Sequence, residues 1–447
     1  MRLSSLIVPD LDASFAADPE AVAELFEELH VEDVADIVEA AERPLAVQML
    51  VSLGAERAAE ILECVEPELQ VALVEQLGVE RAVPIVHEMA SDDRADFITE
   101  LPEPLKDALL AKMDPEEVAD VRSLVAWEDG TVGSLMSTDV LEVPVSMRVA
   151  EVIDRVRTHG EEAETVYYVY VLSSTGQLAG VVSLRELILA KPEDPVAQIM
   201  REEVKTVRPE LDAEEAAQLV QHYDLIALPV VDDRHRLVGL VTVDDLADAL
   251  AEEVTEDMHR MGAVQPLEDS YFGTGFWTFV KKRAPWLVAL FAGELFTGDA
   301  LEHFDDVIKQ ATVLVFFLPL IISSGGNSGS QSATLIIRAL AVGEVSLSQA
   351  WRVLRRELAM GLALGLLLST IGVLRALIWG DGPGVAATVG VTLIAVVTLG
   401  TVVGSMLPIL LERVGLDPAV SSTPFIASLV DMMGILTYFS LARWILL

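Results

Sequence analysis

Between residues 20 and 125, apolar side chains recur at helical spacing in short runs, broken by Pro, Gly and Asp. This period predicts a series of short amphipathic helices. The runs also repeat. Residues 44–54 (Pro-Leu-Ala-Val-Gln-Met-Leu-Val-Ser-Leu-Gly) resemble residues 68–78 (Glu-Leu-Gln-Val-Ala-Leu-Val-Glu-Gln-Leu-Gly) at a step of 24, which Ile37, Ile61 and Ile85 share. A unit of two short helices buries its apolar face only by stacking on its neighbours, so an α-superhelical domain is expected over 1–130. No nucleophile and base recur in it, which favours scaffolding or sensing.

From 133 to 249 the pattern changes to strands alternating with helices. Residues 165–172 (Thr-Val-Tyr-Tyr-Val-Tyr-Val-Leu) and 225–231 (Leu-Ile-Ala-Leu-Pro-Val-Val) are β-branched and aromatic runs. Again two halves repeat. Met136 opens one and Met200 the other, and 180–187 (Gly-Val-Val-Ser-Leu-Arg-Glu-Leu) matches 239–246 (Gly-Leu-Val-Thr-Val-Asp-Asp-Leu). An α/β domain pair is expected over 131–250. Residues 251–283 read as a connecting helix and linker. Residues 251–259 are acidic and helix-favouring; Tyr271, Phe272, Phe276 and Trp277 then precede Lys281, Lys282 and Arg283, a sequence suited to a membrane interface.

Residues 284–447 read as a transmembrane domain of five helices, near 285–303, 307–340, 351–378, 385–411 and 420–445. A bilayer core of about 30 Å needs roughly 20 residues per helix. The first segment is less apolar, because it carries Glu294 and Asp299. The second is too long, and 325–330 (Gly-Gly-Asn-Ser-Gly-Ser) is expected to break it. Pro319, which has no N–H, is expected to free a carbonyl one turn earlier. Lys281–Arg283, Arg338, Arg352, Arg355, Arg356 and Arg413 gather on one side of these segments, against Lys309 and Arg375 on the other. The positive-inside rule puts the N-terminal domains in the cytoplasm and the C-terminus outside a plasma (inner) membrane.

Charge sharpens the division. The net charge is −41, of which −38 lies in the first 283 residues. Such an excess repels nucleic acid and favours bound cations. Cys64 is the only cysteine, so an internal disulfide is excluded. Residues 1–10 lack the basic start and apolar core of a cleaved signal peptide.

Two places carry candidate chemistry. Asp431 sits in an apolar helix, where a carboxylate costs about 2.5 kcal/mol or more and should face water, a partner or an ion. Thr423, Ala427, Ser428 and Gly434 lie near its face, giving a strip of small and polar groups. The second place is the glycine run, with Asn327 and Gln331 on one face; exposed backbone at membrane depth is tolerated only where it lines a cavity or is covered by protein. Glu357 and Arg375 lie nearer membrane ends, where long side chains snorkel. No His-Glu-x-x-His motif is present, which speaks against a zinc protease, and the expectation is that the protein is not an enzyme.

The repeated halves resemble a pair of CBS domains, regulatory modules that often bind adenine nucleotides. The resemblance implies Ser183, Glu186, Thr242 and Asp245 as nucleotide contacts, with ATP the candidate ligand. The run 318–340 (Leu-Pro-Leu-Ile-Ile-Ser-Ser-Gly-Gly-Asn-Ser-Gly-Ser-Gln-Ser-Ala-Thr-Leu-Ile-Ile-Arg-Ala-Leu) and the stretch from Leu416-Asp-Pro-Ala to Asp431 resemble the signature of the MgtE family of magnesium channels and transporters. The order of domains matches as well, so the resemblance covers nearly the whole chain. It implies a homodimer with a pore on its dyad, Asp431 as the ion-selecting carboxylate, Ala427 facing the ion's water through its carbonyl, and Asn327 and Gly326 on the pore lining. Thr423 departs from the family, which often has Asn there. The resemblance further implies that intracellular Mg2+ bridges the acidic domains and closes the pore. The matching positions are Glu60, Asp92, Asp93 and Asp96 in the first domain, Glu214, Asp224, Asp245 and Asp248 in the CBS pair, and Glu253, Glu256 and Asp257 on the connecting helix. Mg2+ holds its octahedral waters tightly and takes few carboxylates, which suits such a pore. Co2+, Mn2+ or Ni2+ as the cargo of a CBS-regulated transporter stays open on the same chemistry.

Overall fold

The computed structural model describes residues 11, 14–15, 17–267 and 271–446, so the signal-peptide reading of 1–10 lies outside the described residues. The chain divides into two compact units, Met1–Leu250 and Ala251–Leu447.

In the first unit, α1 (Pro19–Glu28), α2 (Val31–Ala40), α3 (Arg43–Ser52), α4 (Ala55–Glu63), α5 (Pro67–Leu77), α6 (Val79–Glu88), α7 (Ser91–Glu100), α8 (Glu103–Leu110) and α9 (Pro115–Leu124) follow one another. Several open on a proline in the first turn, where its missing N–H has no helical partner to lose. The 24-residue step becomes a stacking rule: α2 packs on α4, α4 on α6, α3 on α5 and α5 on α7. Ile37, Ile61 and Ile85 fall on α2, α4 and α6, all buried. This is the expected α-superhelix.

Two α/β halves follow. In the first, β1 (Glu142–Pro144) runs parallel to β2 (Tyr168–Leu172), which pairs antiparallel with β3 (Leu178–Ser183). In the second, β4 (Ala227–Val231) pairs antiparallel with β5 (Leu237–Thr242). Helices α10 (Val149–His159), α11 (Leu184–Leu189), α12 (Val196–Ile199) and α13 (Ala213–Tyr223) complete them. The halves exchange their openings: Ser137 bridges to Leu240 and Arg201 to Val181. A Cβ on Gly239 would lie 2.8 Å from the Ser137 carbonyl oxygen and 3.0 Å from Met136 Sδ. One on Gly180 would lie 2.8 Å from the Arg201 carbonyl oxygen and 2.9 Å from Met200 Sδ. The repeated Met and Gly are therefore the two sides of one crossover contact. One apolar core runs from the helical repeats into the second half, joining Ile98 and Leu124 to Met136, Val230 and Leu246.

Helix α14 (Val243–Met261) ends in the second unit. There follow α15 (Phe276–His303), α16 (Asp305–Gln310), a 3-10 turn (Thr312–Phe317), α17 (Leu318–Ala341), α18 (Ala350–Trp379), α19 (Pro383–Arg413) and α20 (Thr423–Leu446). Among the described residues, four spans are long and apolar enough to cross a membrane: Thr312–Ala341, Leu347–Trp379, Pro383–Arg413 and Thr423–Leu446. The helix expected at 285–303 forms, begins earlier at Phe276, and is not among the four.

The second span corrects two expectations. The segment expected at 307–340 is instead the end of α16, the 3-10 turn and then α17, so its irregular part precedes the glycines and α17 runs unbroken through 325–330. Pro319 sits in the first turn of α17, and the Val315 carbonyl accepts from the Leu318 N–H, so Pro319 frees nothing there. The glycines serve packing instead. A Cβ on Gly325 would lie 2.5 Å from Val396 Cγ1, and Cβ atoms on Gly400 and Gly404 would collide with the carbonyl oxygens of Gly325 and Gly329. Glycines four apart on α17 thus interlock with glycines four apart on α19, letting the backbones touch. The Tyr438 hydroxyl donates to the Leu314 carbonyl at 3.0 Å, fastening the 3-10 turn to α20.

Candidate ion pathway and acidic cleft

Asp431 is the ninth of the 24 residues of α20, and the structure sets it against α17. A Cβ on Gly326 would lie 3.2 Å from Asp431 Oδ1 and 3.6 Å from the Ala427 Cβ. Gly326, Ala427 and Asp431 are thus one contact, and a side chain at 326 would crowd the carboxylate. Asp431 is half-buried and has no hydrogen bond or ion pair among the described residues. Thr423 joins the same helix pair through its carbonyl, which accepts from Ser330 Oγ at 3.4 Å. Asn327 donates to Ser323 Oγ at 3.2 Å, and no hydrogen bond joins it to Asp431. Ser323, Asn327 and Gln331 form an exposed polar row on α17. Gly434 belongs elsewhere than expected, facing α19, where a Cβ on it would lie 3.3 Å from Val396 Cγ1.

Two acidic residues play parts that the sequence did not reveal. Glu294 on α15 is near enough to act on Asp431 electrostatically. Glu357 does not snorkel: its carboxylate accepts from Ser332 Oγ at 2.7 Å and its carbonyl from Thr401 Oγ1 at 3.2 Å, tying α18 to α17 and α19. Arg375 stacks on Trp379.

In the first unit, α7 docks on the opening of the α/β pair. The Ser91 N–H donates to Asp139 at 3.2 Å, and the Thr138 N–H donates to Ser91 Oγ at 2.8 Å. This docking gathers like charges. Burial and the charges of Asp93, Glu164 and Asp245 hold the Asp92 carboxyl well above the usual range. Crowding by protein, then Glu63, Asp245, Glu164 and Asp96, pushes Asp93 up to about 8. Burial and Asp245 raise Glu164 to about 7. One Asp92 oxygen, Oδ1, is buried without a partner. Bringing carboxylates together this way is unfavourable without protons or a cation. Glu63 and Glu164 were not anticipated; nothing in their local sequence marks them. Among the described residues, no three acidic, His or Cys side chains converge closely enough to hold a bare metal ion.

The other acidic candidates are spread out. Glu60 pairs with Arg57 at 2.6 Å, Asp224 caps α13 with φ 51°, and Asp248 is exposed. Glu214 is half-buried and accepts from Gln218 at 3.5 Å. On α14, Arg260 pairs with Glu256 at 2.5 Å, with Asp417 at 2.8 Å and with Glu253 at 3.7 Å. Burial and Asp417 raise the Asp257 carboxyl.

Of the four candidate nucleotide contacts, Ser183 and Glu186 line a cavity of about 490 Å3, together with Tyr168, Tyr170, Arg185 and Lys205. Thr242 and Asp245 do not. Thr242 is buried and hydrogen-bonded to Asp245, which belongs to the acidic cleft. The buried Tyr170 hydroxyl lacks a partner, and Arg185 has no ion pair among the described residues.

A helical repeat domain, a two-halved α/β domain and a bundle of apolar helices around an unpaired carboxylate define a membrane protein with a large N-terminal helical and α/β region. Family profiles agree along the chain: the MgtE intracellular N domain matches 29–130, CBS domains match 132–193 and 196–252, and the MgtE divalent cation transporter profile matches 318–441. The magnesium transporter MgtE of Thermus thermophilus is 43% identical over 76% of this chain and 75% of its own. That of Bacillus subtilis is 31% identical over 80% and 79%. The crystal structure of the cytosolic domain of the Mg2+ channel MgtE in complex with ATP superposes with a TM-score of 0.51 at 36% identity, covering 55% of this chain and 99% of that one. The soluble part of a magnesium transporter gives 0.51 at 27%, covering 56% and 97%. The chain belongs to the MgtE family.

Proposed function

We propose that this protein is a magnesium channel or transporter that carries Mg2+ inward and is closed by Mg2+ on its cytoplasmic side. The observation that carries the pathway is the unpaired Asp431, fitted against Gly326 and Ala427. A carboxylate at membrane depth needs a compensating charge, and a hydrated divalent ion supplies one. The polar row of Ser323, Asn327 and Gln331 is exposed on a single chain. Lipid would leave it unsatisfied, whereas a second copy facing it across a dyad would enclose a polar, water-filled path. The pore would then lie in a homodimer, with α15 as a fifth membrane helix beside the four apolar spans and the C-terminus outside.

The acidic cleft supports the gate. Asp92, Asp93, Glu164 and Asp245 are crowded, and Asp92 Oδ1 awaits a partner. A cation held there through its waters would stabilise the docked arrangement of helical domain and CBS pair. Glu60, Asp96, Glu214, Asp224 and Asp248 would extend this cation-binding surface in the first unit, and Glu253, Glu256 and Asp257 would offer carboxylates to a cation on α14. Loss of the cation lets repulsion favour the undocked, open state. The cavity beside Arg185 and Lys205 fits ATP, with its aromatic walls for the base and its cations for phosphate.

Uptake of Mg2+ into vesicles containing the intact protein and Asp431→Asn tests the pathway. The variant is expected to lose uptake while inserting normally. Unchanged uptake would sink the assignment. Competition by Co2+ or Mn2+ in the same vesicles tests whether a different divalent metal is the preferred cargo.

A further inference from the structure

Two cavities follow one another along the α18–α19 pair, and the residues of α19 that line them, Val391, Ile394, Thr398, Val402, Met406 and Ile409, share one helix face and so form one groove. Gly361 and Gly365 press the two helices together: Cβ atoms there would lie 2.7 Å from Thr398 Cα and 2.8 Å from Ile394 Cα. Close axes splay the larger side chains on the flank. At one end is a cavity of about 450 Å3, lined by Ala350, Met406, Ile409, Leu410 and Arg413. Deeper along the same helix pair lies a second, of about 470 Å3, walled by Leu358, Leu362, Ile394 and Thr398. Thr398 is about 22 Å from Arg413 along α19, which is half the thickness of a bilayer with its headgroups.

The mouth of the groove is basic. Ile336, Val353 and Ile409 share one core cluster, so Arg338, Arg352 and Arg413 beside them lie at the same end of α17, α18 and α19. Arg355 and Arg356 follow on the next turn of α18. All five are exposed, and none has an ion pair among the described residues, although Glu344 and Glu412 lie at this end. Five unpaired cations are conspicuous in a chain of net charge −41.

We propose that this groove binds one anionic phospholipid, its phosphate at Arg413 and an acyl chain running over Met406 toward Thr398. Charge complementarity selects the headgroup, since basic pockets between membrane helices hold anionic lipid. The depth selects a lipid over a soluble phosphate.

The test is native mass spectrometry of the full chain in detergent, offered phosphatidylglycerol or phosphatidylcholine. One phosphatidylglycerol per protomer should be retained in preference to phosphatidylcholine. Arg413→Ala should lower that preference roughly five-fold, the loss of one cation near a phosphate. Met406→Trp, which fills the cavity, should abolish retention, and Arg443→Ala at the far end of α20 should change nothing. Arg413 is exposed, so its variant reports binding even if Met406→Trp fails to fold. Equal retention of the two lipids, or retention untouched in Arg413→Ala, overturns the proposal. Displacement of the lipid by soluble glycerol phosphate also overturns it, because the headgroup alone would then suffice. Crosslinking between protomers through Leu358→Cys on a Cys64→Ser background would overturn it in favour of a second copy in the groove.

Discussion

Gly404 has no space for a side chain, because a Cβ there would run into the Gly329 carbonyl oxygen. Gly404→Val should therefore separate α17 from α19 and destabilise the membrane unit by roughly 1–3 kcal/mol, the usual cost of overpacking. Thermal unfolding in detergent measures this. Gly293→Ala, with nothing within 4 Å of its Cβ, is the matched control. The same residues show where sequence reading fell short. The run at 325–330 was recognisable as special, but glycines break an isolated helix and permit contact in a packed one. Only the position of Gly400 and Gly404 opposite them decides which, and that pairing spans some seventy residues of chain. Asp431 was legible because a carboxylate in an apolar helix stands out alone. Glu294 was not, because its helix is less apolar throughout.

At the scale of elements, the repeats were legible because each buried isoleucine recurs at a fixed step, and α2, α4 and α6 stack on that step. The acidic cleft was legible only in part. Asp92, Asp93 and Asp245 were expected, but Glu164 reaches the cleft from the loop before β2, a placement set by tertiary folding. The cleft has a consequence for pH. Its carboxyls are raised in the folded state, Glu164 to about 7 and Asp93 to about 8, so the folded protein holds protons that the unfolded chain has released. The stabilisation is present at acid pH and is lost as pH rises through those values. Without divalent ions, the melting temperature of the first unit, followed in the full chain, should be higher near pH 6 than near pH 8.5. Adding Mg2+ at the higher pH should restore it. A melting temperature that rises with pH over this range would contradict the cleft's electrostatics.

For the whole molecule, the sequence predicts the order of domains, and the family profiles follow the same order from 29 to 441. The polar row on α17 calls for something polar facing it, and the crowded carboxylates of the first unit call for protons or a cation. The proposed Mg2+ path, closed by Mg2+, would answer both needs. The direct test is electrical recording of the reconstituted protein while cytoplasmic Mg2+ is varied. The account predicts an inward Mg2+ current that is large when cytoplasmic Mg2+ is low, falls as it is raised, and is absent in Asp431→Asn. A Mg2+ current indifferent to cytoplasmic Mg2+, or one that survives the loss of the Asp431 carboxylate, would contradict it.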